Sequence, residues 1–116
     1  MKNIFRSLSL VTLITLSPTA WSGEGSSCHF HGSKPAAEST IEQCANARRD
    51  LYLENGTISQ SWHGIPVSTI EVIEGEKSEE WRVRFDNPNA TDKSKNKLYM
   101  FFTLPGNFIA ANYSGK

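Results

Sequence analysis

The chain has 116 residues, with 12 Lys/Arg against 12 Asp/Glu and a formal net charge of zero. That length admits one domain, and the balanced charge excludes recruitment of nucleic acid or an anionic membrane by bulk electrostatics. Only 2 cysteines and 3 histidines occur, so each can be weighed individually.

Residues 1–22 read as a secretory signal peptide. Lys2 and Arg6 form a basic start, "SLSLVTLITL" forms an apolar core, and Ala20-Trp21-Ser22 supplies a small-x-small cleavage pattern. The apolar run falls short of the roughly 17 residues a membrane-crossing helix needs, which predicts export with no membrane insertion after cleavage. Residues 23–34 are polar, Gly/Ser-rich and aperiodic, an N-terminal arm, and residues 35–116 form the single domain. Ser39-Thr40-Ile41-Glu42 fits a capping box, with Pro35 able to open the helix a turn earlier. Ile41, Cys44, Ala45, Arg48, Leu51 and Tyr52 then share one helical face. Arg48, in the middle of that face, is expected to lie flat and send its head to solvent. Asn55-Gly56 ends the helix in a left-handed C-cap.

Past the helix the period changes to two. Thr57–Trp62 is a short predicted strand, broken by Gly64-Ile65-Pro66. Val67–Glu74 and Glu79–Asp86 flank the hairpin loop "GEKS". After a polar loop, Lys97–Leu104 and Asn107–Ser114 meet at Pro105-Gly106. The expected fold is α+β, one N-terminal helix packed on a curled four-stranded antiparallel sheet. The last two strands are apolar on both parities, although one helix covers only one face. Either the concave side of a curled sheet is filled, or the open face is a surface for a protein or peptide partner, lined by Arg82, Arg84, Tyr99 and Phe101.

The segments "GSSCHFHGSKP", "IEQCANARRDLYLENGTI", "EWRVRFDNP" and "LYMFFTLPGNFIAANYSGK" together resemble a family of small, exported, functionally uncharacterised bacterial proteins. The resemblance implies a periplasmic address, a cystatin-like or PepSY-like arrangement of helix on sheet, and an association with envelope heavy-metal efflux systems. It supplies no catalytic residues.

In an oxidising compartment two cysteines usually pair, so Cys28 in the arm is expected to bond Cys44 on the buried face of the helix. Along an extended arm successive side chains alternate. His29 and His31 would face solvent together while Cys28 and Phe30 dock, leaving two imidazoles placed to share Zn(II) or Cu(II). His63 is the remaining histidine and the candidate third ligand. Two other readings stay open: the histidines are simply solvated, or reduced Cys28 and Cys44 join His29 or His31, and His63, in a four-ligand site. No carboxylate is placed by a motif to act as base, and no nucleophile elbow or phosphate-binding loop occurs. The reading is therefore a periplasmic, non-catalytic binding or accessory module that takes a Zn or Cu ion or, alternatively, an envelope protein partner.

Overall fold

In the computed structural model, which describes residues 28–116, helix α1 spans Glu38–Glu54. The predicted signal peptide lies outside the described residues. The capping box does not form: Ala37 is the N-cap, in an extended conformation with no side-chain cap bond. The cause is tertiary. The Ala36 N–H donates to the Leu104 carbonyl at 2.8 Å, which fixes where the chain turns into the helix and places Ser39 and Glu42 inside it. The other end follows the sequence. Gly56 has φ +79°, and the N–H groups of Gly56 and Thr57 donate to the carbonyls of Leu53 and Tyr52 at 3.3 and 2.8 Å, a Schellman closure.

That closure redirects Thr57–Trp62, which forms no strand. It turns sharply and ends in a 3₁₀ turn, Gln60–Trp62. The Ile58 N–H still bonds the Tyr52 carbonyl and the Gln60 amide reaches the Leu53 carbonyl, so the segment folds back on the helix C-terminus. There Leu53, Ile58 and Trp62 are buried.

Four strands follow: β1 Val67–Glu74, β2 Glu79–Asp86, β3 Lys97–Thr103 and β4 Phe108–Asn112. They make one antiparallel sheet in the order β1-β2-β3-β4. The Gly75 N–H closes the first hairpin on the Ser78 carbonyl at 2.9 Å. Period-two alternation sorts the faces. Val83, Phe85, Leu98, Met100 and Phe102 face α1 and join Ile41, Cys44 and Ala45 in the core, while Arg82, Arg84, Tyr99 and Phe101 occupy the opposite face through the pairs Arg82↔Phe101 and Arg84↔Tyr99. Leu51 corrects the helical-face expectation. It is 46% exposed, overhanging a shallow recess that it shares with Cys28, Cys44, Phe102 and Phe108. Arg48, half-buried, lays its head over the Phe108 ring, with the guanidinium carbon 3.8 Å from the ring centroid. Among the described residues no helix is long and apolar enough to cross a membrane.

Candidate functional site

The arm is bound to the domain in three ways. Cys28 and Cys44 form a disulfide with their Cα atoms 5.8 Å apart. Two residues on, the Phe30 N–H donates to Asn107 Oδ1 at 2.7 Å, and Asn107 Nδ2 donates to the Phe30 carbonyl at 2.9 Å. One carboxamide thus meets both backbone groups of Phe30, as a neighbouring strand would. Asn107 is itself fixed by the β3–β4 turn, where its N–H bonds Thr103 Oγ1 and its carbonyl accepts from the Thr103 N–H. The third contact is the Phe30 ring, which lies on the bare face of Gly106. That glycine has φ +116°, and a Cβ there would come within 2.8 Å of the ring.

With Cys28 and Phe30 turned inward against the core, His29 and His31 are exposed. Their ring centroids are 4.9 Å apart and the planes nearly perpendicular, at 88°. Two imidazoles sharing a tetrahedral zinc hold their donor nitrogens about 3.3 Å apart, given Zn–N bonds of about 2.0–2.1 Å. Exposed side chains at this separation reach that by rotamer adjustment alone. His63 is placed elsewhere: it follows the 3₁₀ turn, anchored by the buried Trp62, and is exposed. Among the described residues no three His, Cys, Asp or Glu side chains stand close enough to hold one ion. The two sulfurs are bonded to each other, so the four-ligand Cys/His set does not exist in this oxidation state.

The open face of the sheet is only partly open. Asn112 Oδ1 accepts from the N–H groups of Ser114 and Gly115 at 3.1 and 2.8 Å, curling the C-terminal tail back over the sheet. Gly115 is buried against Tyr99, where a Cβ would approach the ring to 2.9 Å. Arg82 donates to Glu71 Oε2 at 2.7 Å and to the Gly115 carbonyl at 3.2 Å. Arg84 pairs with Asp86 at 2.9 Å, and the bulge in β1 aims Ser68 Oγ at the same carboxylate. Partial burial alone would raise the Asp86 pKa, but the bonds from Arg84 and Ser68 and the charges of Arg84 and Lys97 together hold it below its ordinary value of 3.8. Beside the tail remains a groove of about 550 Å³, with Ile73, Phe101, Ile109 and Ala110 as its apolar part and Glu74, Glu76 and Glu80 at the hairpin end. Of the four residues expected on the partner face, Arg82 and Phe101 line this groove. Tyr99 lies under the tail, and Arg84 is engaged by Asp86 and Ser68.

A family model described as a family of unknown function, DUF6488, matches residues 1–116. The chain belongs to DUF6488. No curated protein and no solved structure matches it. The DUF6488 chain therefore offers two surfaces of different chemistry, an outward histidine pair on a fastened arm and an apolar groove with an acidic end. Asn107 and Gly106, which fasten the arm, escaped the sequence reading. Phe30 and Asn107 lie 77 residues apart, and Pro105-Gly106-Asn107 already has a complete local explanation as a turn.

Proposed function

We propose that this DUF6488 protein is an exported, periplasmic, non-catalytic binding module that takes a Zn(II) or Cu(II) ion at His29 and His31. The observation that carries the reading is the placement of the pair: both rings face outward, 4.9 Å apart, on a segment held by a disulfide and by Asn107. A chelating pair already held in place loses less conformational freedom on binding than the same pair on a free chain, a difference of about 1–2 kcal/mol. Calorimetric titration of Zn(II) and Cu(II) into oxidised protein tests the reading. Binding should vanish in His29→Ala and weaken roughly five- to thirtyfold when the disulfide is opened with a non-chelating reductant. Tighter binding after reduction would instead assign the sulfurs as ligands.

The groove favours a second reading, a module that docks an envelope protein or peptide on its open sheet face. Ile109, 44% exposed, contributes apolar surface there beside Phe101. Concentration-dependent association that is lost in Ile109→Ser, in a protein that shows no specific Zn(II) or Cu(II) binding, supports this reading over the first.

A further inference from the structure

We infer that the ion held by His29 and His31 is completed by the same pair from a second copy, so that zinc joins two chains through four imidazoles. This rests on the metal reading above and gives that site its partner.

Zinc in a closed site takes four ligands in tetrahedral array, and the described part of one arm supplies two. Among the described residues no third His, Cys, Asp or Glu joins them, Cys28 and Cys44 are consumed by their own bond, and His63 stands on the 3₁₀ turn. Within the described residues the site is thus half of one. Its exposure lets the other half arrive from outside, since both rings lie on the solvent side of the arm while Phe30 faces the domain. Two identical pairs meeting at one ion form an isologous contact about a two-fold axis, which closes at the dimer and leaves no ligand free to continue a chain. The ground beside the arm root suits a neighbour. The recess of Cys28, Cys44, Leu51, Phe102 and Phe108 is mostly apolar, and the one charged residue in its lining, Arg48, is laid over the Phe108 ring. The fastened backbone of Phe30 also keeps the two imidazoles of each copy together, so assembly orders two bodies rather than four independent side chains.

The test is sedimentation velocity and calorimetry on the full oxidised mature chain with zinc chloride alone, with Co(II) as a spectroscopic substitute. The expected result is a monomer without metal, a doubled mass with one Zn(II) bound per two chains, reversal by chelator, and the intense visible bands of tetrahedral Co(II). His29→Ala and His31→Ala should each abolish the dimer, and His63→Ala should leave it unchanged. One Zn(II) per chain with no change in mass overturns the bridged dimer and leaves the metal reading standing. No specific binding overturns both. A metal-dependent dimer that His63→Ala abolishes overturns the four-imidazole assignment.

Discussion

The two ends of the described chain are fastened by the same kind of parts and to different depths. Each is caught by an asparagine at an end of β4, Asn107 just before it for the arm and Asn112 as its last residue for the tail, and each pairs an aromatic ring with a glycine, the arm's Phe30 on Gly106 and the tail's Gly115 on Tyr99 of β3. The arm adds a covalent bond to the helix and places Phe30 against the core. The tail adds one bond from Arg82 to the Gly115 carbonyl. The difference teaches where this small domain concentrates restraint: on the segment that carries two histidines and no core of its own.

Opening the disulfide should break the contrast most. Replacing Cys28 and Cys44 by alanine removes a cross-link between residues 16 apart in sequence, expected to cost about 3 kcal/mol on the chain-entropy estimate. Chemical denaturation of the protein should show that loss without a change in far-ultraviolet circular dichroism.

Gly106→Ala comes next, at about 2 kcal/mol. It forces a side chain into a positive-φ position and drives the new methyl into the Phe30 ring. Amide exchange should quicken at Phe30 more than within β1.

Asn107→Ala removes both backbone bonds to Phe30 and should cost roughly 1–2 kcal/mol, with the arm becoming the first site of proteolytic nicking. The matched change on the tail, Asn112→Ala, should cost no more than about 1 kcal/mol and expose Tyr99 without loosening the arm. Equal effects on both ends would abolish the contrast.

The smallest effect is acid-dependent. The folded state holds Asp86 ionised to lower pH than the unfolded chain does, so its contribution is whole at neutral pH. It begins to fade near the ordinary value of 3.8 and is lost as pH falls through the depressed folded value. Asp86→Asn should lower stability by under about 1 kcal/mol at pH 7 and by progressively less in acid. A constant difference down to pH 2 would assign the loss to packing.

Local patterns carried much of this architecture. β1 and β2 have the bounds that alternation and the "GEKS" loop predict, because a strand's faces and a hairpin's turn are both written within a few residues. The Cys28–Cys44 bond and the outward histidines match what cysteine number, an expected oxidising compartment and the two-residue period predict from the sequence. What was hidden depends on contacts across the chain. The Ala36–Leu104 bond moved the helix start away from the capping box, and the Schellman closure drew Thr57–Trp62 out of strand geometry. Tyr99, which reads as a free aromatic on an open face, is covered by a tail whose path depends on Asn112.

Asn107 recognises Phe30 through its main chain, and that separates docking from the identity of the neighbouring side chains. Positions 29 and 31 hang on an attachment that does not read them, so they behave as a display loop with the rigidity of a strand. Other chelating or reactive pairs can be grafted there, and the melting temperature should hardly register the exchange.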